Sequence, residues 1–358
     1  DSLKVSVEIE KEGIISLRED GKRNYSLNDV IHGTHFSGVS LSPDGKYLMT
    51  SYRTTQVGGR TSGVTKITEL ATDKVLAQRS DYLQWMPKSN RYYYTRQGVD
   101  GRQLVAVEPV SGQEYLLADK LPYGYFQIAP NEKWLLYSLT QEGPKERKEI
   151  YEVIEPDDRQ PGWRDRSYLA KYDLATGLMQ PLTFGYHNAW AQDISADGNK
   201  VLVMTSRSRL TKRPTTLSSL LLLDVNTLKV DTLVAEDGFL NSAQFSPDGK
   251  QIVLTASAEA FEGIGLNVKE GQTPNMYDYQ MYLMDLVDKK VKPVTKYFNP
   301  SVQSVVWNKV DGKIYFTAEN RDYVSLYCMN PADGKIQQVE TKEDLVKGIS
   351  FSANAPFL

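Results

Sequence analysis

A short pattern of polar and apolar positions recurs along the chain. Each copy has an alternating, strand-like stretch, then a turn of the Ser-Pro-Asp-Gly-Lys type, then a brief apolar run. The clearest turns are Ser42-Pro43-Asp44-Gly45-Lys46 and Ser246-Pro247-Asp248-Gly249-Lys250, and Ser195-Ala196-Asp197-Gly198-Asn199 is a near copy. Degenerate copies are Pro87-Lys88-Ser89-Asn90, Ala129-Pro130-Asn131-Glu132-Lys133 and Val310-Asp311-Gly312-Lys313, and a worn seventh begins at Ser352-Ala353-Asn354. Asp or Asn before Gly supplies the positive φ angles of a tight hairpin, and Pro fixes φ ahead of it. The runs after the turns include Tyr92-Tyr93-Tyr94, Trp134-Leu135-Leu136-Tyr137, Val201-Leu202-Val203-Met204, Ile252-Val253-Leu254 and Ile314-Tyr315-Phe316. They are short and apolar throughout, which predicts central strands buried on both faces.

A second hairpin follows each first one. Leu169 to Leu174, the turn Ala175-Thr176-Gly177 and Gln180 to Thr183 form one example. Met281 to Leu286 with Asp288-Lys289, and Leu326 to Met329 with Ala332-Asp333-Gly334, are others. Two linked hairpins make a four-stranded antiparallel sheet of about 40 residues, the size of a propeller blade. The fold class is therefore all-β, a β-propeller of about seven four-stranded antiparallel blades in a single domain. Blades are expected near 38–78, 82–118, 124–183, 189–234, 241–295 and 302–340. A partial seventh is expected at 348–358, with 12–27 available to complete it, because an unpaired sheet edge invites aggregation.

With strands lettered a to d in each blade, the a–b and c–d turns are tight, whereas several b–c connections are long. They run from Arg53 to Gly63, from about Gln141 to Arg166, from Arg207 to Thr216 and from Glu259 to Asp278. All four fall on one face of a propeller, together with the d–a links. Loops of that length are kept for a reason, so this face is expected to be the functional one. In the blade-three insertion, Glu149, Glu152 and Glu155 are candidates to meet a substrate amine, and Arg164 and Arg166 a carboxylate. The simpler reading of the charged insertion is a solvated excursion pinned by Trp163. In the blade-five insertion, Tyr277 and Tyr279 are candidates for a rim over a cavity, against a plain packing loop.

Composition narrows the picture. Hydrophobic residues make up 40% and charged residues 24% of 358, and the net charge of −3 favours no polyanion. The 22 tyrosines suit half-buried strands and wet clefts. A single cysteine, Cys328, allows no intrachain disulfide and reads as a core residue on a strand. There is no apolar run long enough to span a bilayer, and no basic–aromatic stripe, Walker loop or Rossmann pattern. No cofactor is implied. His32 and His35 have no accompanying ligand set, so no metal site is expected, and His187 reads as structural. The nucleophile elbow Gly-x-Ser-x-Gly is absent, so no catalytic residue is assigned. A glycosidase would need paired carboxylates around the funnel, and Asp81, Asp193 and Asp278 only lie near blade edges.

The repeats resemble the propeller of the prolyl oligopeptidase family of serine peptidases, of the dipeptidyl peptidase IV and acylaminoacyl peptidase type. The resemblance rests on the turns at 42–46 and 246–250, on Tyr25-Ser26-Leu27-Asn28-Asp29-Val30, on Gly162-Trp163-Arg164-Asp165-Arg166 ahead of Tyr172-Asp173-Leu174-Ala175-Thr176-Gly177, and on Pro181-Leu182-Thr183. It implies a non-catalytic propeller that gates short peptides and helps orient them at the active site of a C-terminal α/β-hydrolase domain of the same polypeptide. Whether the chain is itself part of an enzyme stays open on its own residues. The paired glutamates of dipeptidyl peptidase IV are missing, so its specificity does not carry over. Similar turns occur in TolB-like propellers, and the alternative is a stand-alone propeller that docks a protein or glycan. A periplasmic or otherwise secreted location is favoured over a cytoplasmic one.

Overall fold

A computed structural model describes residues 26–144 and 150–355. The expected turns form, with one difference in detail. In Ser42–Gly45, Ser195–Gly198 and Ser246–Gly249 the glycine N–H donates to the serine carbonyl at 2.8–2.9 Å. Only the glycines take positive φ, at 71°, 71° and 67°, so the preceding aspartate is free for other work. Its carboxylate accepts the serine hydroxyl at 2.7, 2.6 and 2.7 Å. The same hydroxyl accepts the backbone N–H of Tyr47, Lys200 or Gln251, in each case the fifth residue after the serine, at 2.9–3.0 Å.

These turns join strands into six four-stranded antiparallel sheets, each paired in chain order. Blade one holds β1 (Gly33–Leu41), β2 (Tyr47–Thr55), β3 (Thr61–Glu69) and β4 (Lys74–Arg79). Blade two holds β5 (Gln84–Trp85), β6 (Tyr92–Gln97), β7 (Arg102–Val107) and β8 (Glu114–Leu121). Blade three holds β9 (Tyr125–Ile128), β10 (Trp134–Gln141), β11 (Arg166–Asp173) and β12 (Met179–Pro181). Blade four holds β13 (Ala189–Ile194), β14 (Lys200–Ser208), β15 (Thr216–Asp224) and β16 (Val230–Asp237). Blade five holds β17 (Leu240–Phe245), β18 (Gln251–Ser257), β19 (Tyr279–Asp285) and β20 (Val291–Pro293). Blade six holds β21 (Ser301–Trp307), β22 (Ile314–Asn320), β23 (Tyr323–Met329) and β24 (Ile336–Val339). The first strands of successive blades touch one another, β13 with β17 and β17 with β21, which sets them around a common axis.

The core lies between blades. Leu202, Leu220, Ile252 and Tyr282 join blades four and five, and Tyr93, Leu104, Leu135 and Tyr137 join two and three. Trp134, Val201 and Leu223 join three and four; Met281, Val302 and Phe316 join five and six; Ile67, Tyr94 and Val105 join one and two. Each such side chain contributes about 1.5–3 kcal/mol by burial. Cys328 is a buried residue of β23.

A seventh blade is not formed among the described residues, which corrects the expectation of about seven. Residues 348–355 contain no strand, and of the segment 12–27 all but its last two residues lie outside the described set. Turn chemistry is local and survives at Ser352, whose hydroxyl donates to the Ala355 carbonyl at 2.7 Å. A strand needs a partner to pair with. The segment instead bridges blades six and one. The Phe351 ring lies 4.7 Å from that of Tyr315, and the Asn354 N–H donates to the Pro43 carbonyl at 2.8 Å.

Candidate functional site

The b–c connections and the d–a links share one face; those of blades three and five are long, but the expected Arg53–Gly63 loop is mostly strand, because Arg53 pairs with Gly63 and Thr55 with Thr61, leaving a five-residue turn at 56–60. Three of the clefts between blades open there. One of about 920 Å³ lies between blades one and two, bordered by Arg53, Thr61 and Tyr82. One of about 820 Å³ lies between blades four and five, near Arg209, Glu236 and Phe261. The third, of about 460 Å³, lies between blades three and four. It is assembled from the blade-three insertion (Glu155, Trp163), the start of β11 (Arg166), the link into blade four (Tyr186, His187) and the end of β14 (Arg207).

The blade-three insertion is held by internal ion pairing. Arg164 donates from Nε to Asp158 Oδ1 at 2.7 Å and from Nη2 to Oδ2 at 2.6 Å, and Nη2 also reaches the Glu152 carbonyl at 2.7 Å. Asp158 has a fully buried side chain. The Arg164 guanidinium holds its carboxyl below the usual range, against the pull of desolvation and with help from the Ile154 N–H. Asp165 ties the ends of the insertion together by accepting the Gly143 N–H at 2.8 Å. A Cβ on Gly143 would sit 2.5 Å from the Arg164 side chain, so no larger residue fits there.

These contacts separate the candidates. Arg164 builds the loop. Arg166 and Glu155 face the cleft, while Glu152 supplies a backbone carbonyl from an exposed position. Glu149 lies outside the described residues. Tyr277 is exposed at 68%, and Tyr279 begins β19; neither lines the blade-three cleft. The blade-five insertion begins as a packing loop, with Phe261 against Tyr282 at 4.9 Å and Gln280 Nε2 donating to the Gly265 carbonyl at 3.1 Å. His187 stands in the cleft, its ring edge-on to Tyr186 at 5.7 Å.

Three carboxylates weighed for glycosidic chemistry serve elsewhere or stand apart. Asp81 pairs with Arg79 at 2.8 Å, Asp193 accepts a backbone N–H from the next blade, and the Asp278 backbone N–H closes a turn onto the Asn275 carbonyl.

A set of residues on the same face was not singled out by the sequence. The links between blades expose aromatic rings in succession: Tyr82 between blades one and two, Tyr123 between two and three, Phe184 and Tyr186 between three and four, and Tyr297 between five and six. Tyr82, Phe184 and Tyr297 are 80%, 92% and 91% exposed. The recurrence of Tyr or Phe within a few residues ahead of a first strand, in a chain with 22 tyrosines, is the signal that marks them. Isolated exposed apolar residues are ordinary, but here aromatic ones recur in four of the five links between blades.

This fold is a six-bladed antiparallel β-propeller, and solved structures share it. The propeller domain of the trilobed protease of Pyrococcus furiosus matches over 89% of this chain and 87% of that one, with a TM-score of 0.58 at 12% identity. Pyrococcus horikoshii acylaminoacyl peptidase matches over 89% of this chain with a TM-score of 0.61 at 13% identity; the match spans 48% of that longer chain. An oligogalacturonate lyase solved with manganese matches over 86% of this chain and 77% of its own, with a TM-score of 0.55 at 15% identity. No family model matches the sequence, and no curated protein does. At these identities the likeness establishes the propeller architecture.

Proposed function

We propose that the chain is the non-catalytic propeller portion of a serine peptidase. In this reading it gates the access of short peptides to, and helps orient them at, the active site of an α/β-hydrolase domain of the same polypeptide. The observation that carries it is the face described above, where the long b–c connections of blades three and five and a series of exposed aromatic rings coincide. Aromatic side chains grip extended peptides or a docked domain over large area at low entropic cost. The motifs Gly162–Arg166 and Tyr172–Gly177 support the peptidase reading, as do the peptidase propellers that share the fold. Selection precedes chemistry in such an arrangement: the funnel excludes folded chains, and the rim orients small ones.

The test uses aminoacyl- and dipeptidyl-nitroanilides. The 358-residue chain alone is expected to show no turnover. The longer polypeptide is expected to cleave short peptides and spare folded proteins. Hydrolysis by the chain alone, titratable with a serine-directed inhibitor, would overturn the proposal.

A further inference from the structure

Of the described arginines in the blade-three insertion and its cleft, Arg159 is exposed and donates to the Pro156 carbonyl at 2.9 Å, and two of the other three are neutralised in the same way. Arg164 grips Asp158 and Arg207 grips Glu236, each through Nε and Nη2, with all four distances at 2.6–2.7 Å. Arg166 is the third. Its Nη1 donates to the carbonyls of Trp163 and Asp165 at 2.7 and 2.8 Å, which uses both hydrogens of that nitrogen. Its Cζ lies 4.6 Å from the Tyr186 ring centroid and 5.5 Å from that of Trp163. The guanidinium is thereby fixed in place but not neutralised. Among the described residues no carboxylate pairs with it, and Nε and Nη2 have no hydrogen-bond partner. That edge is the one the neighbouring arginines use to hold a carboxylate.

We propose that Arg166 is a carboxylate-binding residue, and that the cleft between blades three and four takes a peptide carboxylate against the Trp163 and Tyr186 rings. The planar fork suits a carboxylate bidentately, and the rings shield the pair from water. Glu155 and Asp165 also line the cleft, so a dianion such as a phosphate monoester meets about twice the repulsion that a single carboxylate does. Arg207 adds no competing cation, because Glu236 already neutralises it. The exposed His187 and Tyr186 also line the cleft, and Asp158, already held by Arg164, lies near enough to feel the Arg166 charge. This inference rests on the peptide-handling reading above and states which group of the peptide the cleft holds.

The test measures binding of N-acetyl-Ala-Ala-Phe as the free acid and as the C-terminal amide to the 358-residue chain. Titration calorimetry gives the affinity, and the Trp163 indole N–H resonance places the ligand. The acid is expected to bind about tenfold more tightly than the amide, the scale of one charge-assisted pair. That preference should vanish in Arg166→Gln and be reduced in Arg166→Lys. N-acetyl-Ala-Glu-Ala-amide separates a side-chain carboxylate from a chain terminus; binding of either through Arg166 supports the site. Equal binding of acid and amide to the wild-type protein overturns the carboxylate assignment while leaving peptide handling intact, and needs no variant to fold. Binding of no peptide at all overturns both.

Discussion

The Asp193 carboxylate of blade four accepts the backbone N–H of Phe245 in blade five at 2.8 Å. Gln244 of blade five does the same for Trp307 of blade six, also at 2.8 Å. Asp193 and Gln244 each lie two residues before the serine of their turns, so one clasp recurs between successive blades, once charged and once neutral. Burial pushes the Asp193 carboxyl above its usual range, although the Phe245 and Ile194 N–H groups oppose this. A carboxyl raised in the folded state costs stability as pH climbs past its unfolded value of about 3.9, because the chain must then bury a charge. Asp193→Asn removes that charge and keeps an acceptor for Phe245. Its stability at pH 7 is expected within about 1 kcal/mol of wild type, whereas Asp193→Ala costs about 1–3 kcal/mol by stranding the Phe245 N–H. Denaturant melts from pH 3 to pH 7 should show wild type losing ground to Asp193→Asn as pH rises. Equal losses in the two variants would contradict the clasp.

What the sequence made legible is what is local. The Ser-Asp-Gly turns and the apolar second strands follow from neighbouring residues, and their spacing gives the repeated sheet. The clasps were hidden because Asp193 and Phe245 are 52 residues apart. Arg164 and Arg166 look alike in the sequence; only folding gives Asp158 to one and leaves the other open to the cleft. The seventh repeat misled for a related reason. Ser352 keeps its turn bonds, but no partner strand among the described residues pairs with its segment.

The turn hydroxyls lend themselves to a matched series. Ser42, Ser195 and Ser246 each bond an aspartate and a backbone N–H. Each Ser→Ala change is expected to cost about 1–2 kcal/mol in urea melts. Because the sites lie in separate blades, double variants should lose the sum. The Ser246 hydroxyl, foremost, holds the Asp248 carboxyl below its usual range, with the Lys250 N–H next. Asp248 therefore adds stability above about pH 3.9 that fades as pH falls through its lower folded value. Ser246→Ala should weaken that acid dependence.

The Asp158–Arg164 pair sets the order of the blade-three insertion. Asp158→Asn is expected to raise trypsin cleavage at Arg159 and Arg164 by about tenfold at pH 7, with little change in global unfolding, since loops open locally. In the wild-type protein the depressed Asp158 carboxyl adds stability above the ordinary carboxylate value of about 3.9, and the pair is released only as pH falls through its lower folded value. Hydrogen exchange at Ile154, whose N–H donates to Asp158 Oδ2 at 3.1 Å, reports the change directly.

Between blades six and one, Phe351 against Tyr315 is a principal contact. Phe351→Ala is expected to cost about 1–3 kcal/mol, less than a fully buried phenylalanine because the ring is only partly covered. The loss should appear as faster hydrogen exchange at Asn354, whose N–H bonds the Pro43 carbonyl. Unchanged exchange there would show that the segment does not hold the seam.

The propeller is a rim of long loops and aromatic rings around a scaffold of repeated turns, and the proposal is that this rim serves a hydrolase active site. The most direct test is the coding sequence beyond Leu358. The account predicts an α/β-hydrolase domain with a Gly-x-Ser-x-Gly elbow, followed in chain order by its Asp and His. A stop codon at that point would contradict it.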